Sequence, residues 1–282
     1  MDTIQKVSLI EKLREVQKKG TALWATNFYN LETLKGILLA AAEANQAIIL
    51  QMTRSSIKYM GLKTAVAMAR ALAEELSVRA WLHLDHGDTV DLVRQCLDNG
   101  FDSVMIDGSE LPLDKNIEVT SRVVELAANY GAAVEAELGY VAKLGQSTEK
   151  VGFTEPADAA RFVAETGVHA LAIAIGSAHG FYKKSPHLDM GRLREIHAAV
   201  DIPLVLHGSS GIPADQLLQA VQNGICKINL ATEIKNAFTT TLRKELLSNE
   251  EIDLRKIFPP ATEQVKNLVL QKLTMISGAQ EA

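Results

Sequence analysis

The chain has 282 residues, of which 47% are hydrophobic and 22% are charged, with a formal net charge of −5 and a pI near 5.8. This is the composition of an ordinary globular protein, and without a basic block or a long apolar run it argues against nucleic-acid and membrane partners. Two cysteines, Cys96 and Cys226, are too few for a disulfide framework, which indicates a reducing cytoplasm. The length fits a single domain over residues 1–282.

Short apolar runs alternate with helical segments along the chain. The N-terminal segment MDTIQKVSLIEKLREVQKKG predicts an amphipathic helix, and another helix is expected from about Asp253 to Ile276. Between them lie eight predicted strands, each followed by a helical segment: Thr21–Phe28, Ala47–Thr53, Arg79–His86, Ser103–Asp107, Ala132–Leu138, Ala170–Ile175, Pro203–His207 and Cys226–Leu230. Eight such units predict an α/β protein, a (β/α)8 TIM barrel with an extra N-terminal helix and a C-terminal helical extension.

Functional groups of such a barrel lie at the carboxyl ends of its strands, and polar residues occur there in six consecutive predicted strands. The third strand ends in Asp85-His86-Gly87, and the fourth ends at Asp107 in MIDGS. The later strands end in EAELG, GSAHGFYK, LHGSSG and KINLATE, which contain Glu135, Glu137, His179, His207, Asn229 and Thr232. The shared position along the strands indicates one common site.

Three histidines, His86, His179 and His207, stand at the ends of three different predicted strands. Three neutral imidazoles that leave one position open are typical of a catalytic zinc site. Each histidine alone could instead cap a strand or bond a loop carbonyl, but the three together favour a metal. His83 is expected to be a hydrogen-bonding group rather than a ligand. The remaining histidines are expected to face solvent: His169, His187 and His197.

Glycine-rich turns after the last strands predict a phosphate site, because backbone N–H groups in such turns and at helix N-termini bind anions. The glycines could equally serve only to allow tight turns. The residues predicted to contribute are Lys183, Gly208, Ser209, Ser210, Asn229, Leu230, Ala231 and Thr232. A metal and a phosphate site beside Asp85 indicate Lewis-acid chemistry on a phosphorylated sugar, with Asp85 exchanging a proton with a substrate hydroxyl.

Six segments taken in order resemble the class II, metal-dependent ketose-bisphosphate aldolase family, of the tagatose- or fructose-bisphosphate type: HLDHG, SVMIDGS, VEAELG, AIAIGSAHGFY, LVLHGSSGI and KINLATEIKNAF. The resemblance covers most of the chain. It implies retro-aldol cleavage of a ketose phosphate into dihydroxyacetone phosphate and an aldehyde, with zinc on the three histidines and Asp85 as the acid/base.

The resemblance also implies further site residues and partners. Asp107 and Glu137 match a second or alternative metal position of the family. Residues implied at the dihydroxyacetone phosphate end are Gly180, Gly208, Ser210, Asn229 and Thr232. A monovalent cation such as Na⁺ or K⁺ is expected near that phosphate. The family resemblance further suggests a homodimer or homotetramer, and the terminal helix is a reasonable contact surface.

Two segments depart from the family pattern. The loop YVAKLGQSTEKVGFTEP lacks the Gly-Gly-acidic motif whose carboxylate removes a proton from dihydroxyacetone phosphate, and Glu149 is the nearest substitute. The segment QMTRSSIKYMG carries Arg54, a candidate for binding a second phosphate, a carboxylate or another planar anion at the far end of the sugar. The resemblance implies that Arg255 is a similar candidate, since the family can place a C-terminal arginine near the second phosphate, either in its own subunit or in a neighbouring one. All three could instead be ordinary exposed residues.

Three alternatives therefore remain open. The first is an aldolase of the same family that acts on a ketose phosphate with only one phosphate. The second is a metal-dependent sugar-phosphate epimerase, which would surround its ion with a different set of ligands. The third is a non-catalytic barrel, and this would be expected to lack Asp85 or one of the histidines, all of which are present.

Overall fold

The structure, a computed structural model, describes residues 7–139, 141–143, 152–182 and 186–278. Its strands are β1 (Leu23–Asn27), β2 (Ile48–Thr53), β3 (Ala80–Gly87), β4 (Ser103–Ile106), β5 (Ala133–Leu138), β6 (Ala142–Lys143), β7 (Ala170–Ile173), β8 (Ala178–His179), β9 (Leu204–Leu206) and β10 (Ile225–Leu230). Eight of them are parallel and close into a barrel in the order β1-β10-β9-β7-β5-β4-β3-β2, while β6 and β8 form a separate parallel pair. The predicted (β/α)8 barrel is confirmed.

Helices lie between the strands and cover the barrel. They are α1 (Leu9–Lys18), α2 (Leu31–Glu43), α3 (Arg54–Met60), α4 (Leu62–Glu75), α5 (Val90–Asp98), α6 (Leu113–Ala128), α7 (Pro156–Thr166), α8 (Met190–Ala199), α9 (Ala214–Gln222), α10 (Thr232–Ser248), α11 (Leu254–Ile257) and α12 (Pro259–Gly278). Within the described ranges, none of them combines the length and the apolar character needed to cross a bilayer.

Helix α1 closes the amino-terminal end of the barrel. Its capping box, in which Ser8 and Glu11 satisfy each other's backbone N–H groups, fixes where the helix begins. The apolar face of Leu9, Leu13 and Val16 is buried and packs in one cluster with side chains of the barrel strands, including Ile49. Helix α1 therefore covers the amino-terminal end of the barrel, opposite the carboxyl end of the strands, where barrels of this kind carry their functional groups.

The C-terminal extension consists of two helices, where the sequence predicted one. The break falls at Phe258, and α12 begins with Pro259, whose fixed φ and missing N–H suit the first turn of a helix. Helix α12 packs closely on α2, where a Cβ on Gly36 would lie 2.7 Å from the Thr262 carbonyl oxygen. Trp24 of β1 donates its indole N–H to the Lys272 carbonyl oxygen at 2.8 Å, which ties α12 to the barrel.

Candidate active site

Two consecutive residues of β3, Asp85 and His86, both reach the mouth of the barrel. Neighbours on a regular strand point to opposite faces, but the pairing of β3 with β4 shifts register between Leu84 and Gly87. His86 has a φ of 51°, in the left-handed region, and such an irregularity re-aims a side chain. Gly87 allows the close approach that follows, since a Cβ there would lie 2.5 Å from the Met105 carbonyl oxygen.

The structure brings His86, His179 and His207 together. One ring nitrogen from each lies within 4.8 Å of the others, and the ring centroids are 4.8 to 5.9 Å apart. His86 Nε2 is 3.1 Å from His207 Nδ1. Two nitrogens held by one tetrahedral zinc ion are about 3.3 Å apart, so these residues fit such an ion with little rearrangement.

The sequence predicted that His179 lies at the end of a barrel strand, and this prediction is wrong. Strand β7 ends at Ile173, and His179 lies on the short strand β8, which pairs with β6. Gly176, with a φ of 106°, turns the chain between β7 and β8, and a Cβ there would lie 2.5 Å from the His187 carbonyl oxygen. The third imidazole is therefore positioned by a loop that folds back over the barrel mouth.

Carboxylates orient two of the three rings. The Asp107 carboxylate lies 2.7 Å from His86 Nδ1 and also accepts from the Ser109 N–H and hydroxyl. Burial alone would raise the pKa of Asp107, but His86 and Ser109 hold it well below its usual range. His207 Nε2 lies 2.8 Å from Glu135 Oε1. Both rings thus direct their other nitrogen toward the centre of the cluster, in the arrangement usual for metal-binding histidines.

Glu137 is the strongest sign of a cation within this cluster. Its side chain is buried, its Oε2 lies 3.4 Å from His207 Nδ1, and among the described residues this oxygen has no hydrogen-bond partner. Burial, with the charges of Asp107 and Glu135, raises the pKa of Glu137 to about 8, although His86 opposes the shift. Glu137 and Asp107 also form a second close group with His86, each with one ligand atom within 4.8 Å of the others.

Asp85 is held between two amide side chains. Asn27 donates to Oδ2 at 2.8 Å, Asn229 donates to Oδ1 at 3.4 Å, and Gln51 in turn donates to Asn27. Burial raises the pKa of Asp85, but the charges of the nearby histidines and the Asn27 hydrogen bond outweigh this and lower it. Asp85 is therefore an ionised carboxylate, and its Oδ1 lies 3.9 Å from His86 Nε2.

The turn after β9 and the start of α10 lie next to this cluster. Gly208 has a φ of 69°, and Ser209 donates its hydroxyl hydrogen to the Asn229 carbonyl oxygen, which joins the turn to β10. Helix α10 begins at Thr232, and the Glu233 N–H in its first turn donates to the Ser210 hydroxyl at 3.3 Å. The Gly211 N–H is already used, because it donates to the Glu233 carboxylate at 2.7 Å.

The other predicted residues are placed as follows. Gly180 is half-buried, Leu230 is buried, and Ala231 directly precedes α10. Arg54 begins α3 at the barrel rim and forms an ion pair with Asp88, both side chains being 53% exposed. Arg255 lies on α11, 90% exposed, with its guanidinium on Asp253 of the same segment. Lys183 and Glu149 lie outside the described residues.

Three polar residues of the site were missed in the sequence: Asn27, Gln51 and Lys227. All are buried on barrel strands. The available signal was a polar residue within an otherwise apolar strand, which is costly to bury without a partner. His169 was predicted to face solvent but is half-buried, because its Nδ1 accepts the Val134 N–H at 3.0 Å.

The closed parallel barrel and the histidine–carboxylate cluster at the carboxyl ends of its strands define a (β/α)8 protein with a candidate metal centre at its mouth. Residues 7–281 match the sequence model of the class-II fructose-bisphosphate aldolases. The chain is 38% identical over 284 residues to a fructose-bisphosphate aldolase of Geobacillus stearothermophilus, with 98% of each chain covered. The protein belongs to the class II fructose-bisphosphate aldolase family and is an aldolase, a carbon–carbon lyase.

Solved structures are similar over nearly the whole chain. The YdjI aldolase of Escherichia coli K12 has a TM-score of 0.85 at 28% identity, covering 96% of both chains. A fructose-bisphosphate aldolase of Campylobacter jejuni has a TM-score of 0.83 at 21% identity, covering 96% of this chain and 94% of that one, and shows the shared fold.

Proposed function

We propose that this protein is a zinc-dependent aldolase that cleaves a phosphorylated ketose, of the fructose- or tagatose-1,6-bisphosphate type, into dihydroxyacetone phosphate and an aldehyde. The observation that carries the proposal is the position of Asp85, whose Oδ1 lies 3.9 Å from His86 Nε2 at the edge of the three-imidazole cluster. A base beside a candidate metal centre is the arrangement that retro-aldol cleavage needs.

The ligands in this proposal are His86 through Nε2, His207 through Nδ1, and His179. Three imidazoles with one position left open suit zinc, and a bound zinc ion would supply Lewis-acid polarisation of the substrate carbonyl. The Asp107 carboxylate orients the His86 ring through its contact with Nδ1. Together with Glu137 it also offers a second or alternative position for the ion.

Asp85 is the proposed acid/base. Cleavage breaks the carbon–carbon bond next to the hydroxyl that becomes the aldehyde, so this hydroxyl must lose its proton. Asp85 is ionised and fixed by Asn27 and Asn229, and it accepts that proton. The electron pair of the broken bond stays on the dihydroxyacetone phosphate half, which takes up a proton before release. Glu149 is the proposed donor of that proton.

The phosphate of the dihydroxyacetone half is proposed to bind at the start of α10 and the adjoining turn. Backbone N–H groups at a helix N-terminus attract anions. Because the whole chain has a net charge of −5, an anion must be bound by such local donors and not by the overall charge of the protein. The proposed residues are Gly180, Lys183, Gly208, Ser209, Ser210, Asn229, Leu230, Ala231 and Thr232. A Na⁺ or K⁺ ion beside the phosphate completes this part of the proposal.

The far end of the sugar is assigned to Arg54, or to Arg255 of a neighbouring subunit in a homodimer or homotetramer. One observation favours the second candidate function, an aldolase for a ketose with a single phosphate. Arg54 is already neutralised by Asp88, so a second phosphate would have to displace that carboxylate.

Metal removal followed by zinc return tests the proposal. The enzyme is treated with a chelator, and dihydroxyacetone phosphate release is followed with fructose, tagatose and sorbose bisphosphates and the corresponding monophosphates. Loss of release, recovered with zinc, is expected. Activity that survives removal of all bound metal contradicts the mechanism, and an epimerised ketose as the product identifies the epimerase alternative. A preference for monophosphates identifies the single-phosphate aldolase.

A further inference from the structure

Strand β10 carries a lysine into the barrel. Lys227 lies between Cys226 and Ile228, and its relative exposure is 0%. An ammonium group in such a position is costly unless it is paired and hydrogen-bonded. Lys227 Nζ lies 2.8 Å from Glu135 Oε2 and donates to Asn229 Oδ1 at 2.8 Å. Both partners touch groups of the candidate metal centre.

His207 Nε2 has two polar neighbours that make opposite demands. Glu135 Oε1 lies 2.8 Å from it, and Asn229 Nδ2 lies 3.0 Å from it. The nitrogen cannot both donate to a carboxylate and accept from an amide. The position of Lys227 favours the first arrangement, because its ammonium group lies 2.8 Å from the other oxygen of Glu135 and pairs with it, so that Glu135 acts as an acceptor toward His207. His207 therefore carries its proton on Nε2.

The same lysine fixes the orientation of Asn229. Since Lys227 donates to the amide oxygen, the amide nitrogen must point the other way, where it lies 3.4 Å from Asp85 Oδ1. Lys227 therefore acts on the site through two neighbours, Glu135 and Asn229. The contact with Glu135 leaves the lone pair of His207 on Nδ1, which lies 3.1 Å from His86 Nε2. Asn229 in turn donates a hydrogen bond to Asp85, the proposed base.

We propose that Lys227 is a positioning residue of the active site, which fixes the tautomer of His207 through Glu135 and the orientation of Asp85 through Asn229. The inference rests on the proposed metal-binding role of His207. It differs from a purely structural role, in which Lys227 would only neutralise a buried carboxylate and any neutral pair would replace it.

The test compares Lys227→Met with the double variant Lys227→Met/Glu135→Gln, which removes the pair without leaving an unpaired buried charge. Lys266→Met is the matched control, since Lys266 also forms an ion pair, with Glu43 at 2.8 Å, but on the C-terminal helix. Zinc affinity is measured by competition with a zinc-binding dye. The His207 tautomer is read in the metal-free protein from its ¹⁵N chemical shifts, and the unfolding midpoint is recorded for each variant.

Loss of an oriented ligand is expected to weaken zinc binding roughly 10- to 100-fold in both Lys227 variants. The ¹⁵N shifts of His207 should move from the Nε2–H form toward a mixture, while Lys266→Met leaves both readouts at the wild-type values. If Lys227→Met does not fold, zinc affinity and the His207 tautomer are compared between the double variant and the wild type. Recovered folding with unchanged zinc affinity and an unchanged tautomer overturns the inference. Absence of zinc binding to the wild type would contradict the proposed function instead, and the ¹⁵N shifts would still decide the role of Lys227.

Discussion

Asp85 Oδ1 and His86 Nε2 lie 3.9 Å apart, although the two residues are neighbours on β3. The separation depends on the left-handed backbone of His86, which places both side chains on the inner face of the barrel mouth. The proposed base and a candidate metal ligand are therefore held by one strand, so that their relative position does not depend on a loop.

Replacing Asp85 with Asn tests whether Asp85 acts as the base and not as a metal ligand. The amide keeps the shape of the carboxylate but accepts no proton, so kcat should fall about 100- to 10,000-fold while zinc stays bound. Turnover and zinc content are measured on the same preparation. Asp98→Asn is the control, since Asp98 is an exposed carboxylate that accepts a hydrogen bond from Tyr130. Loss of zinc from Asp85→Asn would mean that Asp85 is a ligand.

Asp107→Asn tests the carboxylate behind His86. The substitution removes the negative charge 2.7 Å from His86 Nδ1, so the ring becomes a weaker ligand and zinc affinity should fall roughly 10- to 100-fold. Competition with a zinc-binding dye measures the change. Asp114→Asn provides the comparison, since Asp114 is exposed and pairs with Arg161. Equal affinities in the two variants would show that Asp107 does not support the metal.

Gly208→Ala tests the turn after β9, and Gly131→Ala is its matched control. Both glycines have left-handed backbones, with φ of 69° and 63°, but a Cβ on Gly208 would lie 2.5 Å from the Ala178 carbonyl oxygen, whereas one on Gly131 would meet nothing within 4 Å. Alanine at either position adds backbone strain, and at Gly208 it also forces two backbone segments apart. Gly208→Ala should therefore lower the free energy of unfolding by about 1–3 kcal/mol more than Gly131→Ala.

Urea unfolding of both alanine variants measures that difference, and inorganic phosphate binding is followed alongside it. Weaker phosphate binding is expected for Gly208→Ala only, because the turn is part of the proposed phosphate site. Equal losses of stability in the two variants would show that the turn can shift to accept a side chain.

His83 predicts an acid-sensitive stability. Burial, together with the charge of Lys227, lowers its pKa from 6.5 to about 3, although Glu135 opposes the shift. Between these values the unfolded chain binds a proton that the folded chain excludes, so stability is lost as the pH falls from about 6.5 toward 3. The free energy of unfolding should change by up to about 1.4 kcal/mol per pH unit for this one group.

His83→Gln removes that titration, so the slope of unfolding free energy against pH between 4 and 6 should be smaller in the metal-free variant. Urea unfolding at several pH values gives the slope. His187→Gln is the control because it removes a histidine from an exposed position. A slope identical to wild type in His83→Gln would assign the acid sensitivity to other groups.

Much of the fold could be predicted from the sequence because its signals are local. Continuous apolar runs such as Ile48–Leu50 predicted strands covered by helices, and the repetition of strand and helix predicted the closed barrel. The strand-end residues His86, Asp107 and His207 could also be found, because parallel strands deliver their carboxyl ends to one rim. The break at Phe258 was missed, since two prolines at a helix start resemble those within a turn.

Only the tertiary structure determined how residues far apart in the chain are placed relative to one another. The placement of His179 on β8 follows from its pairing with β6, and the left-handed His86 follows from the register of β3 against β4. Lys227 and Glu135 are ordinary charged residues in the sequence and become a buried pair only when β10 and β5 face each other across the barrel. Side-chain alternation specifies which face of a strand a residue occupies, but the partner it meets there depends on how the barrel closes.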